Sequence, residues 1–417
     1  MSVLYGNAVV GQSGGPTTAI NATLAGVIAG AMECKSIGKI YGMRNGVEGL
    51  LEERLIDLNA VFENNNDKLE LLKTTPAAAL GSCRKKLPTP DKSDYAKTFE
   101  KLISVFKKYD IRYFFYIGGN DSMDTVAKLS AYTKECGYEM RIIGVPKTID
   151  NDLKGTDHTP GFGSAAKFIS VVMQEIIKDT AVYTIPAVTI VEIMGRDAGW
   201  LTASAALGRI VTGEAPDFVY LPEREFDVDE FIDDVKAALK VKPNIVVAVS
   251  EGLVCRGGRL LGEGVQSGAV DAFGHKALSG TGKALELIVK DRIGCKVRSV
   301  EFNLPQRCGA HIASACDINE SFGVGRAAAF AAEQGVSREM MVIIRNNDGE
   351  DEPYSSVYGH MDIELIANKT KYVPAHYINE RGNNVTDECL EHILPLVQGE
   401  YYPAYKNGLP VFFSFDE

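Results

Sequence analysis

Short apolar runs rich in β-branched and aromatic residues alternate along this chain with longer stretches whose apolar positions recur at helical spacing. The short runs predict buried strands, and the longer stretches predict amphipathic helices. This alternation is typical of a parallel sheet covered by helices on both faces, so the predicted fold class is α/β. The predicted strands are 7–11, 112–118, 141–146, 187–194 and 244–250, with 298–304 as a further candidate.

Polar or glycine-rich residues follow each predicted strand. Open α/β sheets bind their ligands in the crevice beyond the carboxyl ends of the strands. Because amides, acids and guanidinium groups are concentrated at these ends, we expect the functional site to be built there. The segments that follow the strands are QSGGPTTAIN, GNDS, KTIDND, GRDAG, EGL and PQRCG.

The composition limits the possible functions. A chain of 417 residues, 45% hydrophobic and 24% charged, is large enough for two cores. We expect a cytoplasmic protein without a membrane span, because no long apolar run and no signal-like N-terminus are present. Its net charge of -11 opposes nonspecific binding to nucleic acid or anionic lipid. The eight cysteines form no C-x-x-C pair, which argues against a zinc site and a disulfide framework.

The first strand leads into Gly14 and Gly15, which precede Pro16 and a helical pattern. Proline fits the first position of a helix, so the pattern predicts that the glycine amides lie beside a helix N-terminus, where an anion is favoured. A tight turn without a ligand remains an equally good interpretation of this motif alone. The sequence is not a Walker A loop. The apolar positions of the predicted helix are Ile20, Leu24, Val27, Ile28 and Ala31.

The segment after the third predicted strand places Lys147, Asp150 and Asp152 within six residues. Acids two positions apart in an extended loop can diverge, one toward a reacting hydroxyl and the other toward a metal or a supporting partner. Phosphoryl transfer needs such parts: a base for the attacking hydroxyl, cations and Mg²⁺ to neutralise charge, and amides to hold the donor. A solvated acidic turn is the alternative, and the other polar strand ends make it less favourable.

Seven motifs in this chain resemble, in order, those of the phosphofructokinase family. They are SGGPTTAIN, LGSCR, GGNDS, PKTIDND, MGRDAG, Ser-Glu-Gly at 250–252 and PQR at 305–307. The resemblance implies phosphoryl transfer to the 1-hydroxyl of fructose 6-phosphate. It also implies two similar Rossmann-like α/β/α domains with parallel-rich sheets and an active site in the cleft between them. The expected donor domain is 1–160 plus about 309–360, and the expected sugar domain is about 161–308 plus about 361–417.

The same resemblance assigns roles residue by residue. Asp150 resembles the general base for the sugar hydroxyl, and Asp152 its supporting acid. Guanidinium groups suit phosphate and carboxylates suit hydroxyls, in agreement with the remaining assignments. The implied sugar-binding residues are Thr148, Ile149, Asp150, Met194, Gly195, Arg196, Glu251, Arg298 and Arg307, with Arg196 also among the catalytic residues. The implied diphosphate-binding residues are Gly15, Arg84 and Lys147.

Two positions indicate the phosphoryl donor. Relatives that use ATP generally have glycine where this chain has Asp121 and Lys147. A carboxylate at Asp121 would repel the α-phosphate of ATP, whereas pyrophosphate ends before that point. Lys147 would neutralise the transferring group and the departing phosphate. Both residues are therefore expected to be catalytic, the chain resembles the pyrophosphate-dependent branch, and the reaction should run in both directions.

Some positions depart from the family pattern. Asn120 and Asp121 are the expected Mg²⁺ ligands, although many relatives have aspartate where Asn120 stands. Ala187 replaces an arginine that crosses a subunit boundary in ATP-dependent relatives, and Leu304 occupies a place where histidine is common. Substitutes for these contacts could come from the segment KYVPAHYINERGNN, which also fits a purely structural loop. The candidates there are Lys371, Tyr377 and Arg381.

The expected partners are pyrophosphate and fructose 6-phosphate, in a homodimer or homotetramer. An ATP-dependent phosphofructokinase is the nearer alternative, and a non-catalytic sugar-phosphate sensor is a more distant one. The acidic, turn-rich stretch 348–356 is expected to form a surface loop.

Overall fold

A computed structural model describes residues 3–264, 280–346 and 353–415 of the chain. Its larger sheet has seven strands in the order β11-β10-β5-β4-β1-β2-β3. Neighbouring strands are parallel except at the two edges, where β3 and β11 run antiparallel to their neighbours. The strands are β1 (Gly6–Gln12), β2 (Ile37–Met43), β3 (Leu55–Asp57), β4 (Ile111–Gly118), β5 (Arg141–Pro146), β10 (Glu339–Arg345) and β11 (Ser356–Asp362).

A second sheet of four parallel strands has the order β7-β8-β6-β9. Its strands are β6 (Ala187–Ile193), β7 (Phe218–Tyr220), β8 (Asn244–Ser250) and β9 (Lys296–Glu301). A short antiparallel hairpin near the C-terminus pairs β12 (Ala404–Lys406) with β13 (Leu409–Val411).

Helices cover both faces of each sheet. Side chains alternate along the strands, so Val9 and Val10 of β1 face different cores. The helices are α1 (Ile20–Glu33), α2 (Gly46–Leu51), α3 (Leu58–Phe62), α4 (Asn66–Thr74), α5 (Tyr95–Lys108), α6 (Asn120–Glu135), α7 (Phe162–Thr180), α8 (Trp200–Ser204), α9 (Gly208–Val211), α10 (Val228–Leu239), α11 (Thr281–Arg292), α12 (Pro305–Cys308), α13 (Ala315–Glu333) and α14 (Asp387–Ile393).

Helix α1, which follows the glycine loop, packs closely against α13. A Cβ atom on Gly26 would lie 2.0 Å from the carbonyl oxygen of Phe322, so a larger residue would push the two helices apart. This packing fixes one side of the glycine loop. The predicted helix start was wrong, however: α1 begins at Ile20, not at Pro16. The intervening turn is held by tertiary bonds instead, since Thr18 Oγ1 donates to Arg307 O at 3.3 Å.

The five predicted strands are confirmed, and the further candidate is present as β9. Strands β10 and β11 return the chain to the first sheet, whereas Leu390 of α14 packs in the core beside the second sheet. The domain ranges themselves stay a prediction. Within the described ranges, no helix has both the length and the apolar character needed to cross a bilayer. Residues 348–352 of the expected acidic surface loop lie outside the described residues.

Candidate active site

Loops at the carboxyl ends of both sheets line one cleft of about 490 Å³. This volume suits a small-molecule ligand. All predicted site residues line it except Gly195 and Arg298. Those that do are Gly15, Arg84, Asn120, Asp121, Lys147, Thr148, Ile149, Asp150, Asp152, Met194, Arg196, Glu251 and Arg307.

The loop that joins β5 to α7 carries the two predicted acids. Burial and, to a smaller extent, the negative charge of Asp152 together raise the pKa of Asp150 to about 7, against the lowering effect of Lys147. Burial also raises the pKa of Asp152. Asn151, between them, is fully buried and has a left-handed backbone with φ of 54°. A carboxyl group with a pKa near neutrality is suited to accept and release a proton.

Lys147 connects this loop to the glycine loop. Its side chain is buried, and its ammonium donates to the carbonyl oxygen of Gly15 at 2.6 Å. Gly14 has φ of 79°, and a Cβ atom there would lie 3.2 Å from Lys147 Nζ, so glycine leaves room for the ammonium. Burial lowers the pKa of Lys147 to about 8, while the charges of Asp150 and Asp152 oppose that change. The group therefore remains mostly cationic at neutral pH.

Asp121 lies in the first turn of α6, where the helix dipole favours an acid. Its carboxylate forms an ion pair with Lys86, with 3.0 Å between Asp121 Oδ1 and Lys86 Nζ. The sequence reasoning treated Asp121 as an isolated negative charge and missed Lys86. The basic run Arg84-Lys85-Lys86 was the available signal. Asp121 is thus one half of a charged pair at the rim of the cleft.

Asn120 begins α6 and supplies an oxygen suited to a metal ion. Its buried Oδ1 has no hydrogen-bond partner, while its Nδ2 donates to Asp152 Oδ2 at 3.3 Å. An amide oxygen beside carboxylates fits Mg²⁺, which prefers oxygen ligands and keeps several waters or phosphate oxygens. Among the described residues, no group of three or more His, Cys, Asp or Glu side chains could hold a metal alone. The site therefore suits a cation that a phosphate ligand helps to bind.

The second sheet contributes the opposite wall of the cleft. Glu251 follows β8, and its Oε1 accepts from the backbone N–H of Gly195 at 3.3 Å. Burial raises the pKa of Glu251 to about 8, and the negative charge of Asp150 adds to the effect. Arg307 of α12 lies beside the glycine loop, since a Cβ atom on Gly15 would be 3.4 Å from Arg307 Nη1.

Two predicted sugar-binding residues, Gly195 and Arg298, do not line the described cleft. Gly195 shapes the turn after β6: it has φ of 121°, and a Cβ atom there would lie 2.6 Å from Ala198 O. Arg298 does not line this cleft, because it lies three positions before the end of β9 and is exposed. Its role at the 6-phosphate stays a prediction. It lines a small surface pocket that Ala187 also lines, away from the cleft.

The phosphofructokinase family pattern matches residues 7–330 of this chain. The chain belongs to the phosphofructokinase family. A relative from Halomonas elongata named "Pyrophosphate--fructose 6-phosphate 1-phosphotransferase" is 39% identical over 97% of this chain and 94% of its own length. One of the same name from Xanthomonas campestris is also 39% identical, over 98% of this chain and 96% of its own.

The solved structure of a pyrophosphate-dependent phosphofructokinase from Nitrosospira multiformis superimposes with a TM-score of 0.87 at 37% identity. The match covers 98% of this chain and 96% of the other. The expected phosphofructokinase fold is therefore confirmed.

The three candidates from the C-terminal segment, Lys371, Tyr377 and Arg381, do not line the described cleft. Arg381 forms an ion pair with Asp234 in the second sheet's domain, and Tyr377 packs edge-on against Trp200, with 6.2 Å between ring centroids. Lys371 bonds the loop that carries the two acids. The structural alternative is thus the better interpretation of this segment. Residues that line the cleft but were missed by the sequence reasoning are Thr17, Asp197, Asn368 and Thr370.

Proposed function

We propose that this chain transfers a phosphoryl group reversibly from pyrophosphate to the 1-hydroxyl of fructose 6-phosphate. The products are fructose 1,6-bisphosphate and orthophosphate. The observation that carries the proposal is the position of Lys147, whose ammonium contacts the glycine loop at Gly15 and shares one cleft with Asp150. A glycine at that position would remove this cation from the cleft.

Asp150 is the proposed base. Its carboxylate takes the proton of the 1-hydroxyl while the hydroxyl oxygen bonds to the terminal phosphorus and the bond to the bridging oxygen breaks. Orthophosphate leaves with that electron pair, and the reverse reaction uses the protonated acid. A pKa of about 7 allows Asp150 to serve in both directions near neutral pH.

The donor is held by the cationic and amide groups of the first sheet's loops. Gly15, Arg84 and Lys147 would contact diphosphate oxygens, and Lys147 would neutralise the charge that develops on the leaving phosphate. Asn120 and Asp121 would hold Mg²⁺ against the same oxygens. When bound, Mg²⁺ supplies further neutralisation of the phosphate charge.

The sugar is oriented by the opposite wall. Arg196 and Arg307 are suited to the 6-phosphate because guanidinium groups pair with phosphate oxygens in a two-pronged geometry. Glu251 would bond sugar hydroxyls, with Met194 and the Thr148-Ile149 backbone beside the ring. Each group lies in the cleft that Asp150 also lines.

The donor preference follows from the charged pair at the rim. In this proposal the α-phosphate of ATP would extend toward the ion pair that Asp121 forms with Lys86. ATP would have to displace the Asp121 carboxylate from Lys86 and then lie beside it, and close anions repel in a partly buried cleft. Pyrophosphate is shorter and avoids that contact.

We further propose a cytoplasmic homodimer or homotetramer in which Arg298 serves the cleft of a second copy. Arg298 is exposed and shares its surface pocket with Ala187 and Tyr183. Neighbouring apolar side chains are exposed too: Val182 by 70% and Ile185 by 51%. Exposed apolar groups beside a cation suit an interface between copies.

The deciding experiment measures fructose 1,6-bisphosphate formed from fructose 6-phosphate and Mg²⁺ with either pyrophosphate or ATP. We expect product with pyrophosphate, much less with ATP, and fructose 6-phosphate formation when fructose 1,6-bisphosphate and orthophosphate are supplied. Equal rates with both donors would contradict the donor assignment. Sugar-phosphate binding without product would favour the sensor.

The double variant Asp121→Gly with Lys147→Gly sharpens the donor test. It removes the acid at the rim while Lys86 keeps its charge there, so activity with ATP should rise relative to activity with pyrophosphate. An unchanged donor ratio would contradict the role given to Asp121. Lys85→Met serves as the control, because Lys85 is exposed on the neighbouring loop and does not line the described cleft.

A further inference from the structure

The backbone between the two catalytic-loop acids has a left-handed conformation. Asn151 lies between Asp150 and Asp152 with φ of 54° and no exposed surface. Non-glycine residues seldom adopt this left-handed region, and a buried residue that does so is held there by its surroundings. The directions in which the two carboxylates point therefore depend on whatever holds Asn151.

Lys371 holds it. The ammonium of Lys371 donates to Asn151 Oδ1 at 3.0 Å, Thr156 O at 3.2 Å and Asp157 O at 2.7 Å. A lysine has three N–H donors, so these acceptors use all of them. All three acceptors are uncharged oxygens of the same loop, which makes the lysine a clamp rather than an ion-pair partner.

Further contacts hold the backbone and the side chain of Lys371 in place. The backbone N–H of Lys371 donates to Asp152 O at 2.7 Å, and its carbonyl oxygen accepts from Trp200 Nε1 at 3.1 Å. Its ammonium also lies 5.3 Å from the centre of the Trp200 ring. Leu153 forms a β-bridge with Thr370, so the loop and the C-terminal segment are also joined at the residue before the lysine.

We propose that Lys371 is a positioning residue for phosphoryl transfer: its ammonium fixes the Asn151 turn and thereby aims Asp150 at the sugar hydroxyl. This inference rests on the proposed function. Lys371 does not itself line the described cleft, whereas its neighbour Thr370 does. A displacement of about 1 Å in a reacting group can cost a hundredfold in rate, so a loosened loop should lower kcat.

The test compares Lys371→Met with the wild-type protein, whose pyrophosphate-dependent activity is measured first. We expect kcat to fall about 30-fold while KM for each substrate stays within about threefold, because the ligand-binding walls are unchanged. Lys371→Arg keeps a cation with several donors and should recover part of the loss. Lys369→Met is the matched control: Lys369 also donates to a backbone oxygen, Glu364 O at 3.1 Å, but is exposed. It should retain wild-type kcat.

A double-mutant cycle with Asn151→Gly separates positioning from general stability. Glycine accepts the left-handed backbone but removes the amide acceptor. If Lys371 acts through this turn, the two substitutions together should lower kcat by clearly less than the product of their separate effects. If the effects of the two substitutions on kcat simply multiplied, the proposal would be overturned. It would also be overturned if the Lys371→Met variant unfolded at a lower temperature yet kept its kcat per folded molecule. An inactive wild-type protein would instead refute the proposed function, while the Asn151–Lys371 coupling in thermal stability would still report the clamp.

Discussion

The two walls of the cleft are built alike but differ in the group that each places beside a glycine backbone. The first sheet supplies a buried cation, Lys147, whose ammonium contacts the backbone carbonyl of Gly15. The second supplies a mostly buried acid, Glu251, whose carboxyl oxygen contacts the backbone N–H of Gly195. Both groups follow strand ends, and each bonds a glycine backbone atom. The contrast shows how one architecture, loops at carboxyl ends of parallel strands, can present a buried cation in one wall and a mostly buried acid in the other.

Burial moves the pKa values of Lys147 and Glu251 in opposite directions. It lowers the pKa of Lys147 to about 8 and raises that of Glu251 to about 8. At pH 7 Lys147 therefore keeps its proton despite the shift, while Glu251 gains one because of it. Asp150, between the walls, has a pKa of about 7 and is the group whose charge changes most readily.

The largest expected effect comes from replacing Asp150, the proposed base. Asp150→Asn keeps the size of the side chain but cannot accept a proton. We expect kcat to fall about a thousandfold, within the usual range for losing a general base, with KM for pyrophosphate and fructose 6-phosphate changed only severalfold. Steady-state rates in both directions check this. A loss smaller than tenfold in either direction would mean that another group removes the proton.

Next in size is the cation of the donor wall. Lys147→Met keeps the length of the side chain and its burial but removes the charge that faces the leaving phosphate. We expect kcat with pyrophosphate to fall about a hundredfold, a typical cost for removing one stabilising donor in an active site. Lys85→Met, on the exposed neighbouring loop, is the control and should be neutral. Losses confined to the KM for pyrophosphate would show that Lys147 only binds.

The acid and the cation together predict a bell-shaped pH profile for kcat/KM. Asp150 must be ionised to accept the proton, so activity should be lost as pH falls through about 7. Lys147 must be protonated, so activity should be lost as pH rises through about 8. Each limb approaches about a tenfold loss per pH unit. In Lys147→Met the alkaline limb should disappear, and its persistence would assign that limb to another group.

The apolar pattern of the sequence predicted some strands of the two sheets and missed others. Strands β1, β4, β5, β6 and β8 were found because each contains a short apolar run. Strand β2 was missed because Gly38, Lys39 and Gly42 break its pattern, and edge strand β11 because it is half exposed and polar. Strand β10 was missed too, although its apolar run is mostly buried, so a buried apolar run was not sufficient for a strand to be found.

Pairings between distant segments lay beyond the sequence. Nothing local joins Lys86 to Asp121, or Lys371 to Asn151 some 220 positions earlier. The sequence also did not indicate that Arg298 lies three positions before the end of β9, outside the described cleft of its own chain. Residue type indicates which chemistry a side chain can perform, but only the fold determines whether that side chain lies in the cleft.

The smallest expected effect tests the protonation of the sugar wall. With a pKa of about 8, Glu251 carries its proton at pH 7 and can donate to a sugar hydroxyl as well as accept from one. Glu251→Gln resembles that protonated form, so KM for fructose 6-phosphate should rise less than about threefold. Glu251→Ala leaves the Gly195 N–H and the sugar without a partner, and KM should rise about tenfold, as expected for a lost hydrogen bond in a partly buried site. If the glutamine variant were as impaired as the alanine variant at pH 7, the acid would have to act in its charged form, and the two walls would then differ in sign even when the sugar is bound.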